Sequence, residues 1–203
     1  MENNMIRPAL PKKLYYQIEE IVVNLYIELE LKAPIEPKEI AKKLGYVVRY
    51  LSEFTQNELI VSSLRGQAGQ RKDGLSYYDP TIKTYVIWVN DIDVPFEEHS
   101  NFTIMHEIGH IKMEHKVDSP LAEMIANYFA AYAFVPSPLP SLLKCSTYVE
   151  IANAFYVSLE CALFCMQRYT KWSQFGGKEK SYEVRLRTYY KNLMKGEINI
   201  EGV

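Results

Sequence analysis

The chain has 203 residues, of which 48% are hydrophobic and 24% are charged, and its formal net charge is −2. This composition is typical of a globular protein with one domain, and the charge provides no general attraction to nucleic acid or to an anionic membrane. No basic segment followed by an apolar run opens the sequence, and no apolar stretch reaches the roughly 18 residues of a membrane-spanning helix. We therefore expect a cytoplasmic protein without membrane contact, whose three cysteines are free thiols.

The first half of the sequence predicts two helices followed by a small sheet. Apolar residues recur at helical spacing from Lys12 to Leu31, and Pro37 begins a short helix that Gly45 ends. The polar region 52–72 is a candidate for a mobile loop near the functional site. Three segments rich in β-branched and aromatic residues predict the strands of a mostly antiparallel sheet, at Tyr46 to Leu51, Gly74 to Tyr78 and Thr84 to Val89.

The segment from Asn101 to His115 contains the pattern His-Glu-x-x-His within one predicted helix, which begins near Pro95. Residues four apart lie on the same face of a helix, so His106 and His110 can both direct an imidazole at one ion. The pattern is a signature of zinc hydrolases, in which the glutamate, here Glu107, serves as general base. A catalytic zinc ion takes three protein ligands and keeps a position for water. A third ligand is therefore required.

The third ligand distinguishes the families that share this pattern. A metzincin would have glycine and histidine at the two positions that Met113 and Lys116 occupy. The first cysteine, Cys145, follows the motif, so a cysteine ligand on its N-terminal side is excluded. A carboxylate remains as the third ligand.

Glu123 lies thirteen residues after His110, near the start of a second predicted helix from Pro120 to Phe134. Asn127 follows one turn later on the same helical face. This is the thermolysin-like arrangement, in which Glu123 would ligate the metal and Asn127 would orient one of the ligands by a hydrogen bond.

The segment NFTIMHEIGHI, followed by E-x-x-A-N-x-F-A-A-x-x-x-x-P, resembles the ImmA/IrrE family of metallo-endopeptidases. The similarity spans most of the chain and includes Ile40 to Gly45 and Tyr85 to Asn90. The sequence departs from the family pattern at Ile125 and at the Phe134-Val135-Pro136 segment, none of which is a proposed ligand. The resemblance implies an α+β fold with a zincin-like core, a bound Zn²⁺ ion and metal ligands His106, His110 and Glu123.

The resemblance also implies a protein substrate, since members of the family cut helix-turn-helix repressors. In the corresponding mechanism zinc activates a water molecule, and Glu107 moves its proton to the leaving amine. A tyrosine or one of the remaining histidines would stabilise the oxyanion. The alternative is a binding module that sequesters a transcription regulator without cutting it. Glu107 favours the enzyme, because binding alone does not require a general base.

Two further histidines lie near the motif. His99 is two helical turns, about 10 Å, from His106, which is too far for both to bind one ion. His115 is five residues beyond His110 and is expected to point elsewhere. We predict that both are surface residues.

The segment from Glu150 to Ala162 has the spacing of a helix-turn-helix. A recognition helix carries polar or basic residues near its N-terminal end to contact bases, whereas this one begins with Leu159, Glu160 and Cys161. We therefore predict a packed pair of helices without direct sequence-specific DNA binding. We divide the chain into a metallopeptidase core with N-terminal helices, residues 1–140, and a C-terminal helical extension with a basic tail, residues 141–203.

Overall fold

The computed structural model describes residues 10–53, 64, 71–93, 96–117, 119–175 and 179–198. Their fold is α+β, as predicted, and it is mostly helical. Most of the region 52–72 and Pro95 lie outside the described residues. The elements are α1 (Lys12–Glu28), α2 (Pro37–Lys43), β1 (Val47–Tyr50), a 3-10 turn (Leu51–Glu53), β2 (Gly74–Asp79), β3 (Thr84–Val89), α3 (Glu97–Lys112), α4 (Pro120–Phe134), α5 (Leu139–Leu142), α6 (Tyr148–Phe155), α7 (Leu159–Phe175) and α8 (Ser181–Ile198).

Local signals define several helix ends. The side chain of Ser119 accepts a hydrogen bond from the backbone N–H of Ala122 and caps α4, which begins at Pro120 as predicted. Gly45 has a φ of +76° and follows the last residues of α2. Helix α1 ends at Glu28, before the predicted Leu31, and Glu30 adopts a φ of 52°, which is incompatible with a continuing helix.

The sheet is mixed, so the prediction of a mostly antiparallel sheet is wrong. Its order is β1-β3-β2. Strand β2 is antiparallel to β3, to which a short turn connects it, whereas β1 and β3 are parallel. The thirty-three residues between β1 and β3, 51–83, allow the chain to return to the same end of the sheet. Strand composition does not encode this direction.

The two faces of β3 pack against different clusters. Ile87 and Val89 belong to the main core, which contains residues of all the long helices. Val86 and Trp88 pack on the opposite face with Leu51 and Leu64. Strand β3 is therefore covered on both faces, and its main-core face is directed towards α3.

Helices α3 and α4 approach closely at Gly109. A Cβ atom added there would lie 3.1 Å from three atoms of the Phe129 side chain. A glycine inside a helix costs roughly 1 kcal/mol relative to alanine, and at this position it leaves room for the Phe129 side chain. The close packing brings the two ligand-bearing helices together.

The first and last helices pack against each other. The backbone N–H of Ala33 donates to the hydroxyl of Tyr190 at 2.8 Å, and the hydroxyl of Tyr189 donates to the carbonyl of Leu31 at 3.0 Å. Residues from both sides of residue 140 therefore share one core. The division into 1–140 and 141–203 stays a prediction.

Helices α6 and α7 form the predicted packed pair. A three-residue turn joins them, and its first residue, Tyr156, has a φ of 51°. Within the described ranges, no single helix is both long and apolar enough to cross a membrane. Helix α6 and residues Leu159–Gln174, which are bent by 114° relative to each other, reach the length and the apolar composition of a membrane span only as a pair. We call the turn and the first part of α7, residues 156–164, the elbow.

Candidate active site

A cleft of about 1830 Å³ runs beside α3. Residues of strand β2, of α3, of α4 and of the elbow line it. This volume is sufficient for several residues of an extended peptide. His106, Glu107, His110, Glu123 and Asn127 all line the cleft, so the structure brings the residues proposed from the sequence to one surface.

Three of these side chains converge on one point. The Nε2 atoms of His106 and His110 are 2.9 Å apart. Glu123 places Oε2 3.3 Å from Nε2 of His106 and Oε1 3.4 Å from Nε2 of His110. Ligands about 2.0–2.1 Å from a tetrahedral zinc ion are separated by about 3.3–3.4 Å. Both histidine–carboxylate distances match this value, and the histidine–histidine distance is slightly shorter.

The three residues could therefore hold a metal ion, and among the described residues they are the one such group of histidine, cysteine and acidic side chains. Two imidazoles and one carboxylate suit zinc. The side chains of His106 and His110 are 15% and 13% exposed, whereas that of Glu123 is 50% exposed. An ion held here would have protein on one side and the cleft on the other, which is the environment that a hydrolytic metal requires.

Asn127 contacts His106, as the sequence predicts for a residue one turn after Glu123. Its Oδ1 atom lies 3.0 Å from Nδ1 of His106. An imidazole that binds a metal through Nε2 carries its proton on Nδ1 and donates it to such an oxygen. Burial lowers the pKa of His106 below its ordinary value, although the charge of Glu123 acts in the opposite direction. The neutral imidazole that metal binding needs is therefore favoured.

His115 points towards His110, so the prediction that its side chain points away from the motif is wrong. Its Nδ1 atom lies 2.9 Å from Nδ1 of His110. Helix α3 ends at Lys112, and Glu114 then adopts a φ of 54°, which turns the chain back towards the motif. Helical spacing no longer applies beyond this turn. His115 is placed to accept the Nδ1 proton of His110, and burial, followed by the charge of His110, lowers the pKa of His115.

Glu107 is on the side of α3 that faces the sheet, and it is only 6% exposed. The hydroxyl of Ser76, on β2, donates a hydrogen bond of 2.7 Å to Oε2 of Glu107. Sequence reasoning missed Ser76, which lies 31 residues before Glu107. The available signal was the alternation of the small residues Gly74 and Ser76 with larger ones, which leaves one face of the strand accessible.

His99 also lines the cleft but does not belong to the metal-ligand cluster, in agreement with the distance argument. Its side chain is 33% exposed, and Nε2 lies 3.3 Å from Oδ2 of Asp73. His99 is therefore a partly exposed residue of the cleft with an acidic neighbour.

A comparison with protein families matches a large part of the chain. A family model described as the IrrE N-terminal-like domain, which belongs to a peptidase family, matches residues 41–166. This range is more than half of the 203 residues and includes every proposed metal ligand. A search of curated proteins found no match.

Proposed function

The chain belongs to the peptidase family of the IrrE N-terminal-like domain, and on this premise we propose that it is a zinc-dependent endopeptidase with a zincin-like core. Membership supports a metallopeptidase-type function. The observation that carries the finer proposal is the convergence of His106, His110 and Glu123 beside the buried Glu107, at the surface of an open cleft.

In this proposal each residue has a separate task. His106, His110 and Glu123 hold the ion, while Asn127 and His115 orient the two imidazoles. When bound, zinc lowers the pKa of water and polarises the peptide carbonyl. Glu107 accepts the proton of the attacking water and donates it to the leaving amine.

Strand β2 suggests how a substrate binds. In the sheet that the described residues form, β2 is an edge strand, and Gly74 to Tyr78 line the cleft. An extended peptide can add to such an edge through backbone hydrogen bonds, while side-chain pockets provide specificity. We therefore propose that the scissile segment lies along β2, in an unfolded or flexible part of the partner protein.

We propose a helix-turn-helix transcriptional repressor as the substrate and the cytoplasm as the location. This step rests on the family resemblance. Selective cleavage at one or a few bonds would relieve repression without general damage to cytoplasmic proteins.

The test combines the purified protein with the product of any adjacent repressor gene, with and without a chelator, and identifies fragments by mass spectrometry. We expect cleavage of a single bond that needs zinc and is slowed at least about 10²-fold in Glu107→Gln. A stable complex without fragments would contradict the proposal and support the non-cleaving binding module.

A further inference from the structure

The proposed general base is contacted by the sheet as well as by its own helix. Ser76 donates to Oε2 of Glu107 at 2.7 Å, and a Cβ atom added to Gly74 would lie 3.1 Å from Oε1. Both residues are on the face of β2 that is directed towards α3, because alternate residues of a strand share one face. The carboxylate therefore lies directly against the backbone and a hydroxyl of the strand that lines the cleft.

The approach of β2 to α3 depends on Gly74. A Cβ atom there would lie 2.5 Å from Cγ2 of Thr103 and 3.0 Å from the carbonyl oxygen of Trp88. Thr103 is one turn before Glu107, and its hydroxyl donates to the carbonyl of His99 at 2.9 Å, which directs the methyl group towards the strand. The hydroxyl that reaches Glu107 across this short gap is that of Ser76.

A hydrogen bond at this position has a specific effect on a glutamate. The last torsion angle of glutamate is broad and is not defined by staggered rotamers. A hydroxyl at 2.7 Å from a carboxylate makes a strong, directional bond that fixes the plane of the carboxylate. Proton transfer requires such a fixed orientation, and a small misplacement of a catalytic group can lower a rate by about 10².

We propose that Ser76 is a positioning residue, which orients the carboxylate of Glu107 for proton transfer. This inference rests on the proposed function of Glu107. The same strand would bind the substrate along its edge, so β2 would position both the carboxylate of Glu107 and the scissile bond. Ser76 itself does not need to touch the reacting atoms.

The variants for the test are Ser76→Ala, which removes the donor, and Ser76→Thr, which keeps it. Ser52→Ala is a matched control, because the Ser52 hydroxyl also bonds a carboxylate oxygen, Oδ2 of Asp91, at 2.5 Å, but neither residue lines the active-site cleft. Each protein is measured for zinc content, for Tm, and for kcat and KM on the fragment that the wild type cuts.

We expect Ser76→Ala to lower kcat at least about 10-fold, with zinc content, Tm and KM nearly unchanged. Ser76→Thr should recover most of the rate, and Ser52→Ala should behave as the wild type. In a Glu107→Gln background, Ser76→Ala should cause no further loss, because the group that it orients is no longer a base. A normal kcat in Ser76→Ala, or a loss of equal size in both backgrounds, would overturn the proposal.

A measurement without turnover separates this inference from the proposed function. Acetohydroxamate binds a zinc ion and shares its proton with the neighbouring base, so its affinity reports on the orientation of Glu107. We expect Ser76→Ala and Glu107→Gln each to weaken its binding several-fold at equal zinc content. If the wild type binds the probe but cuts no protein, the endopeptidase proposal fails while the assignment of Ser76 is still decided by this affinity. Unchanged affinity in Ser76→Ala would contradict the assignment.

Discussion

Two glutamates of this protein are equally buried but have different surroundings. Glu107 and Glu19 are each 6% exposed. Glu19, on α1, accepts hydrogen bonds from the hydroxyls of Tyr128 and Tyr182, both at 2.6 Å, and from Nζ of Lys180 at 2.7 Å. Glu107 accepts from Ser76 and lines the cleft beside the metal-ligand cluster.

The difference shows that burial of an acid does not by itself identify a catalytic group. The donors to Glu19 come from α4, α8 and the segment before α8, so its carboxylate joins three parts of the chain. Burial raises the pKa of Tyr128 and of Tyr182, and their hydroxyls therefore stay protonated as donors. We infer a structural role for Glu19 and a chemical role for Glu107.

The largest expected effect is on the rate of Glu107→Gln. A positioned general base contributes about 10² to 10⁴ in rate, so cleavage should fall by at least this range. Zinc content and the fold should be retained, because Glu107 is not among the three clustered ligands. Fragment analysis and metal analysis of the same sample check both statements, and turnover close to normal would remove Glu107 from the mechanism.

Removal of the Glu19 carboxylate should lower the stability of the fold and not the rate of a chemical step. Glu19→Ala removes the acceptor of the Tyr128 and Tyr182 hydroxyls and the nearer carboxylate partner of Lys180, which keeps Glu183 at 3.5 Å, and we expect a cost of about 3 kcal/mol. For a chain of this size, Tm should fall by roughly 6–12 °C. Thermal unfolding and zinc titration measure the two properties, and zinc affinity should stay the same at temperatures where the variant is folded.

Glu20→Ala is the control for this stability effect. Its neighbour in sequence is Glu19, but Glu20 is 52% exposed and lies 3.4 Å from an equally exposed Arg185. A surface pair contributes at most about 1 kcal/mol. An equal loss of stability in both variants would contradict a special role for the buried carboxylate.

A smaller effect is expected when the partners of the ligating histidines are removed. Asn127→Ala and His115→Ala each delete a contact to an Nδ1 atom and should lower zinc affinity about 10-fold to 100-fold. Competition with a chelating dye measures this affinity. His99→Ala, which changes a cleft histidine outside the cluster, should leave it unchanged. A large loss of affinity in His99→Ala would show that the cluster is incompletely assigned.

The smallest effect should come from the apolar wall of the cleft. Phe164 and Leu163 are neighbours on α7 and are 49% and 44% exposed, but only Phe164 lines the cleft. Phe164→Ser should raise KM about 5-fold through lost apolar contact with the substrate, whereas Leu163→Ser should not. Steady-state kinetics on one peptide distinguishes them, and equal changes in KM would remove the elbow from substrate binding.

By itself the sequence determined the parts of the site that follow from local rules. Helical periodicity places His106 and His110 on one face, and the Ser119-Pro120 start defines the helix on which Glu123 and Asn127 lie one turn apart. These relations act over a few residues, so spacing is sufficient. The resemblance to a peptidase family rests on the same two helices, and the match over residues 41–166 confirms it.

Only the tertiary structure decided the relations between distant or turn-separated residues. The parallel pairing of β1 with β3 and the contact of Ser76 with Glu107 both depend on how the chain returns across the sheet. His115 reaches His110 because Glu114 adopts a left-handed conformation, for which a glutamate gives no signal in the sequence. The different surroundings of Glu19 and Glu107 have the same cause, because the packing of α1, α4 and α8 brings three donors to Glu19, whereas the contact of α3 with β2 places Glu107 at a cleft.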